Sequence, residues 1–214
     1  MYITWLGHSC FKLQDKVGAD GLTVVTDPYD KKIGLKMPNF EADIVTVSHD
    51  HYDHNNISAL RNNPFVVKGA GEYDIKGVLI TGLQSDHDRK QGAERGKNII
   101  FRIEMEDITI THLGDLGVKL DNKQLEKLTG TDVLLIPVGG RYTLSIDDAV
   151  ETIASLEPRL VIPMHYQVPG LAIELDGVEK FIKAVGLKPT YEERLKISKK
   201  ELPQENTELV ILKI

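Results

Sequence analysis

The stretch Ser48-His49-Asp50-His51-Tyr52-Asp53-His54 places three imidazoles and two carboxylates within six consecutive residues. The whole chain has seven histidines, so three of them in one short segment are a concentration rather than scatter. Imidazole and carboxylate groups are common protein ligands of Zn²⁺ and related divalent cations. This segment, which we call the histidine cluster, therefore predicts a metal site.

The residues before the histidine cluster predict a buried strand, because residues 42–48 are rich in β-branched side chains. The cluster then lies at the carboxyl end of that strand. In an extended backbone, His49 and His51 point to the same side because they are two residues apart. The two asparagines that follow predict a helix cap, where the turning chain presents Asp53 and His54 toward a second centre. One segment could therefore serve two metals.

Further ligands must come from elsewhere in the chain, because a catalytic zinc site usually has three protein ligands and an open position for water. Candidates follow strand-like apolar segments at His87, at His112 with Asp115, and at His165. Loops at strand ends can converge side chains on one edge of a sheet. We therefore expect these residues to meet the histidine cluster.

The sequence resembles the metallo-β-lactamase superfamily, whose H-x-H-x-D-H motif is matched by His49, His51, Asp53 and His54. Four more segments are similar to its L-ascorbate-6-phosphate lactonase-like branch of metal-dependent hydrolases, and they follow the family's order. They are residues 4–11 (TWLGHSCF), 26–29 (TDPY), 112–117 (HLGDLG) and 161–166 (VIPMHY). The resemblance spans nearly the whole chain. It implies a mixed α/β (α+β) fold, a four-layer αββα sandwich with a binuclear site at one edge of its two sheets.

The resemblance also implies seven ligands for two divalent cations: His49, His51 and His87 for the first, Asp53, His54 and His165 for the second, and Asp115 between them. Asp53 and Asp115 would also be the catalytic carboxylates. His112 competes with His87 for the first metal, and we favour His87 because His112 continues the apolar face of its strand. Zinc is the default metal, and manganese or iron would suit the same ligands.

Two other residues are candidates for supporting the ligands, since metal-bound imidazoles commonly donate their second N–H to a carboxylate or carbonyl. Asp27 ends a predicted strand and fits that role, with a turn-forming aspartate as the alternative. His8 lies in a Gly-His-Ser turn, where it could support a ligand, contact the substrate or be a plain turn residue. His112 is a supporting candidate as well if His87 binds the metal.

Local positive charge could act on a substrate. Basic residues follow His87 closely or follow two adjacent glycines: Arg89, Lys90, Arg95, Lys97 and Arg141. They could hold an anionic group of a small-molecule substrate, although exposed charges are more often solvated loop residues.

Composition bounds the class of protein. With 214 residues, 41% hydrophobic and 27% charged, we expect one domain over residues 1–214. No apolar run approaches the length of a membrane span, and the amino terminus lacks a basic-then-apolar leader, so we expect a cytoplasmic protein. The formal net charge of −6 provides no general attraction to nucleic acids.

These features predict a hydrolase in which a hydroxide bridging the two metals attacks a small ester, lactone or amide. The alternative is a phosphodiesterase or nuclease with the same binuclear centre, which the acidic charge balance disfavours for long nucleic acids. A non-hydrolytic metal-binding or redox protein ranks last, because a diiron reductase of the superfamily would usually have an acidic residue in place of His51.

Patterns outside the site predict the remaining elements. Strand signals dominate residues 2–26 and return at 65–68, 78–84, 98–104, 108–112 and 209–214. Helices are predicted at residues 55–62, 121–128, 145–156 and 176–186, the last one capped by Asp176.

Overall fold

Two β-sheets dominate the structure, a computed structural model that describes residues 1–16 and 21–214, so that residues 17–20 of the predicted strand region lie outside it. The first sheet contains, from edge to edge, β13 (Leu195–Lys196), β1 (Tyr2–Gly7), β2 (Cys10–Gln14), β3 (Thr23–Thr26), β4 (Ile44–Thr46) and β5 (Phe65–Val67). The second contains β12 (Pro189–Glu192), β14 (Glu208–Leu212), β11 (Leu160–Met164), β10 (Val133–Pro137), β9 (Ile108–His112), β8 (Lys97–Met105), β7 (Val78–Asp86) and β6 (Gly71–Ile75). The predicted mixed α/β fold with two sheets is confirmed.

Both faces of the first sheet are buried at its inner strands β3 and β4. Val24 and Ile44 belong to the main apolar cluster, which also includes residues of the second sheet, whereas their neighbours Val25 and Val45 belong to a second cluster. The second cluster also contains Ile33, from the short 3₁₀ helix Lys31–Ile33. Burial of both faces explains why these strands read as continuous β-branched runs rather than as an alternating pattern.

Three α-helices are present in the described part of the chain: α1 (Asn122–Leu128), α2 (Ile146–Leu156) and α3 (Val178–Val185). Helix α2 contacts both other helices and β10. It begins where predicted, because the Ser145 hydroxyl accepts a hydrogen bond from the Asp148 amide at 3.2 Å. Helix α1 likewise starts after Asp121, whose side chain completes a capping box with Gln124.

Two cap predictions were wrong. The N-cap residue of helix α3 is Gly177 rather than Asp176. The backbone amide of Asp176 instead donates to the Gly139 carbonyl, and its carbonyl accepts from the Gln167 amide. Residues 55–62 form only a 3₁₀ helix at Ile57–Ala59, and Asn56 makes no side-chain cap. The side-chain Nδ2 of Asn56 donates to the Tyr29 carbonyl at 3.0 Å, so this tertiary contact replaces the cap.

Strand direction brings the predicted ligands to one edge. Strands β9, β10 and β11 are parallel, and β7 runs the same way because β7 and β9 both pair antiparallel with β8. The carboxyl ends of β7, β9 and β11 therefore share one edge of the second sheet, and they lead to His87, Asp115 and His165. The Ile99 amide donates to the Ser48 carbonyl at 2.9 Å, which joins this edge to the strand end that carries the histidine cluster.

The strands that were not predicted are short or lie at sheet edges. Strand β6 has the sequence GEYDI and is largely exposed, so it lacks an apolar pattern. Strands β12 and β13 are also mainly exposed. Among the described residues, no helix combines the length and hydropathy that crossing a membrane requires.

Candidate metal centre

One carboxylate lies at the middle of the site. The Asp115 Oδ2 atom is 3.2 Å from the Nε2 atoms of His54 and His165, 3.3 Å from that of His87 and 3.9 Å from that of His49. The four histidines come from three separate segments of the chain, and they and Asp115 are all buried. Such convergence of ring nitrogens on one carboxylate oxygen is the arrangement that a residue shared by two cations would need.

The potential ligand atoms form overlapping groups whose members lie within 4.8 Å of one another: His49, His51 and His87; His8, Asp53, His54 and His165; and His49, His54 and Asp115. The first two groups correspond to the division implied by the family resemblance, with His8 added to the second. The third group links them through Asp115. The seven implied ligands are thus brought together at one place.

The donor set fits divalent cations. Buried atoms without a hydrogen-bond partner include His49 Nε2, His54 Nε2 and Asp115 Oδ1. Leaving such atoms without partners costs about 1–3 kcal/mol each. Because these atoms lie in the ligand groups, a bound metal would satisfy them, and neutral imidazole with carboxylate is a ligand set that suits zinc.

Burial and charge act differently on the histidines. Burial lowers the pKa of His49 to about 3, which keeps the ring in the neutral form that binds metals. Burial also disfavours charge on His54, but Asp115 and Asp27 outweigh it and raise the pKa of His54 well above its ordinary value. Burial likewise opposes ionisation of Asp115, yet His165 and His54 hold its pKa far below the usual range. The carboxylates therefore favour positive charge here, which a cation would supply in place of a proton.

Asp27 orients two of the proposed ligands. Its Oδ2 atom accepts hydrogen bonds from His54 Nδ1 at 2.9 Å and from the Ser48 hydroxyl at 2.6 Å, while Oδ1 accepts from the Ser48 amide at 2.8 Å. The same hydroxyl accepts from His49 Nδ1 at 2.9 Å. Both rings thus use Nδ1 as a donor and turn Nε2 toward Asp115, so that Nε2 is the atom with which each neutral ring would bind a cation. Ser48, which no pattern singled out for this role, links Asp27 to His49.

His8 contacts a proposed ligand. Its Nε2 atom lies 3.1 Å from Asp53 Oδ2, and the ring is fully buried. Its backbone carbonyl accepts from the His165 amide at 3.0 Å. This position favours support of the second ligand group over contact with a substrate.

The two nitrogens of His112 are both used by backbone groups. Nε2 donates to the Ser9 carbonyl at 2.8 Å, and Nδ1 accepts from the Gly114 amide at 3.2 Å. His112 belongs to none of the ligand groups found among the described residues. It therefore braces the turn that leads from β9 to Asp115.

A pair of alanine variants tests the choice between the two histidines. We expect His87→Ala to lose about one metal equivalent, because the Nε2 atom of His87 lies beside Asp115. His112→Ala should retain metal but lose about 1–3 kcal/mol of unfolding free energy, because it leaves buried partners unpaired. Elemental analysis and urea denaturation measure the two quantities. Metal loss confined to His112→Ala would reverse our assignment.

Asn98 is a site residue that sequence reasoning missed. It is fully buried, and its Oδ1 atom accepts from the Asp115 amide at 3.0 Å while Nδ2 donates to the Leu113 carbonyl at 2.9 Å. Gly114 lies against it with a φ of 56°, and a Cβ there would come within 2.4 Å of Asn98 Oδ1. The contacts of Asn98 reach 15 and 17 residues along the chain, so no local pattern could have revealed them.

A cavity of about 490 Å³ opens onto the centre. It is lined by Asp50, His51, Tyr52, Asp53, His87, Arg95, Asp115, Tyr142, His165 and Ile173. Arg141 lines a neighbouring cavity instead and pairs with Glu174 at 2.8 Å. A larger cavity of about 660 Å³ lies near Asp132 and Arg159, but none of the proposed ligands lines it.

Comparison with known proteins finds related sequences and a similar fold. A family model described as a β-lactamase superfamily domain matches residues 2–165. The chain is 30% identical to a UPF0173 metal-dependent hydrolase of Methanoculleus marisnigri, over 86% of this chain and 89% of that protein. It is 29% identical to one of Archaeoglobus fulgidus, over 87% and 93% of the two chains.

A solved structure from Thermotoga maritima is similar over nearly its full length. That protein is described as a candidate Zn-dependent hydrolase of the metallo-β-lactamase superfamily. It is 36% identical to this chain and superposes on it with a TM-score of 0.78. The alignment covers 99% of this chain and 97% of that protein. The predicted fold type is thereby confirmed.

Proposed function

Because the chain belongs to the metallo-β-lactamase superfamily and to its UPF0173 family of metal-dependent hydrolases, we propose that it hydrolyses a small ester, lactone or amide with two divalent cations. The observation that carries this proposal is the convergence of four imidazole Nε2 atoms on Asp115 Oδ2. Within this class, the L-ascorbate-6-phosphate lactonase-like motifs favour a lactone. Cytoplasmic location and a single domain stay predictions from the sequence.

The proposed ligand assignment follows the overlapping groups of the centre: His49, His51 and His87 for one cation, Asp53, His54 and His165 for the other, and Asp115 for both. Zinc is the metal we propose first, with manganese or iron as alternatives. When bound, such cations would lower the pKa of a coordinated water and polarise the bond under attack.

The protein's own groups would position this chemistry. Asp53 is the least buried carboxylate of the centre, with a side chain that is 14% exposed, and it lines the cavity. We propose that it orients the attacking water, held in place by its hydrogen bond with His8. None of the described residues that line the cavity is a serine, threonine, cysteine or lysine. This lining supports direct attack by water rather than a covalent intermediate on one of those side chains.

Phosphodiester hydrolysis is the second candidate function. The basic loop after His87 contributes Arg95 to the cavity lining, where it could contact a phosphate. The same metal ligands suit phosphoryl transfer. The substrate, rather than the metal centre, therefore distinguishes the two candidates.

Metal analysis and a substrate screen test the proposal together. We expect about two transition-metal equivalents in the purified protein, because the seven ligands divide into two groups that share Asp115. Metal-reconstituted protein should hydrolyse lactones or thioesters faster than phosphodiesters, and chelation should abolish activity. A folded protein that binds no transition metal would contradict the proposal. Faster hydrolysis of phosphodiesters would favour the second candidate.

A further inference from the structure

Four of the five basic residues that the sequence offers as anion-binding candidates are already paired with carboxylates. Arg89 contacts Asp148 at 2.5 Å, Lys90 contacts Glu94 at 2.6 Å, Lys97 contacts Asp86 at 2.6 Å, and Arg141 contacts Glu174 at 2.8 Å. Arg95 differs from them. Among the described residues, its one carboxylate contact is with Glu94, at 3.9 Å, and Arg95 is the member of this set that lines the cavity over the metal centre.

The Arg95 guanidinium is held in the cavity wall by an aromatic ring. Its central carbon lies 5.3 Å from the centroid of the Tyr142 ring, which is within the range of a cation–π contact. A guanidinium in such a contact can still present N–H groups at its edge to a carboxylate or phosphate, often in pairs. The side chain is 37% exposed, so a ligand in the cavity can reach it.

Asp88 fixes the loop that carries Arg95. Its Oδ2 atom accepts from the amides of Glu94 at 3.0 Å and Arg95 at 2.8 Å. Its Oδ1 atom accepts from the amides of Lys90 at 2.7 Å and Gly92 at 3.2 Å. Because Asp88 directly follows the proposed ligand His87, these bonds tie the position of Arg95 to the metal centre. Less ordering is then needed when a ligand binds.

We infer that Arg95 binds an anionic group, a carboxylate or a phosphate, on the substrate and that the natural substrate is a small anionic molecule. The inference rests on the proposed hydrolase function of the same cavity. The cavity volume of about 490 Å³ suits a small molecule. Tyr52 and Tyr142 also line it and provide apolar surface for the part of the substrate between the anionic group and the scissile bond.

Two lactones of matched shape test the inference: γ-butyrolactone-γ-carboxylate and its neutral carboxamide. The metal-loaded protein should prefer the carboxylate. Arg95→Gln should lower kcat/KM for the carboxylate about 10- to 100-fold, mainly through KM, because a charged hydrogen bond contributes about 1.5–3 kcal/mol to binding. The carboxamide should change by less than about threefold. Arg95→Lys should retain part of the preference, because it keeps the charge but not the paired N–H groups.

The control is Arg194→Gln, since Arg194 lies over the Tyr2 ring at 4.9 Å and lines none of the cavities described above. It should leave the preference unchanged. Survival of the carboxylate preference in Arg95→Gln would overturn the inference. So would loss of that preference in Arg141→Gln alone.

Calorimetry with glutarate separates this inference from the proposed function. If Arg95→Gln weakens glutarate binding at least about tenfold and Arg194→Gln does not change it, the result supports an anion site at Arg95. This holds even if neither lactone is hydrolysed. If the metal-loaded protein hydrolyses no lactone, ester or amide, the proposed function is contradicted. Equal glutarate affinity in wild type and Arg95→Gln would overturn the inference whatever the activity.

Discussion

Asp115→Ala is expected to remove one or both metal ions and to lower hydrolysis by roughly a thousandfold or more, since metal catalysis supplies several kcal/mol of transition-state stabilisation. Asp115 Oδ2 lies within 3.9 Å of four imidazole nitrogens, which belong to both ligand groups: His49 and His87 to one, His54 and His165 to the other. Removing it leaves the rings without the shared negative charge that favours cations. Elemental analysis and lactone hydrolysis at saturating zinc measure the two losses.

Asp74→Ala is the matched control, because Asp74 is an exposed aspartate on β6 that pairs with Leu79, at the opposite end of β7 from His87. Its metal content and activity should equal those of wild type. Circular dichroism would show whether Asp115→Ala remains folded. A folded Asp115→Ala protein with two metal equivalents and full activity would contradict the role we propose for Asp115.

Asp27→Ala should be the most destabilising change near the centre that does not remove a proposed ligand. Asp27 is fully buried and accepts hydrogen bonds from the Ser48 amide, the Ser48 hydroxyl and His54 Nδ1. Without it, three buried donors lose their acceptor, at about 1–3 kcal/mol each before relaxation. We expect a loss of roughly 3 kcal/mol in unfolding free energy by urea denaturation. Zinc affinity, measured against a competing chelator, should fall about 10- to 100-fold.

Two companion variants identify the cause of these losses. Asp27→Asn keeps one acceptor oxygen and tolerates the φ of 39° at this position, so it should lose less stability than alanine. Ser48→Ala interrupts only the link from Asp27 to His49. It should weaken binding of one metal and leave His54 oriented. If Asp27→Ala binds zinc as tightly as the wild type does, Asp27 does not orient the ligands.

Much of the fold could be predicted because its signals are local. Helix α2 was located by the Ser145 cap and its apolar spacing, and β9 was predicted with its observed bounds at Ile108–His112. The cap predicted at Asp176 was wrong, and the short edge strand β6 was not predicted. In these places, tertiary hydrogen bonds or exposure on a sheet edge outweighed the local pattern.

The sequence by itself determined the chemistry of the centre, because residue type fixes what a side chain can bind and apolar runs fix where strands end. The apolar runs of the sequence place the segments that carry His49, His54 and Asp115 after the ends of strands. Only the tertiary structure decided that His112 bonds to backbone while His87 lies beside Asp115, and that Arg95 alone of the basic residues lines the cavity. Those outcomes depend on strand order and on partners distant along the chain, and a hydrogen bond between such residues leaves no periodic signal in the sequence.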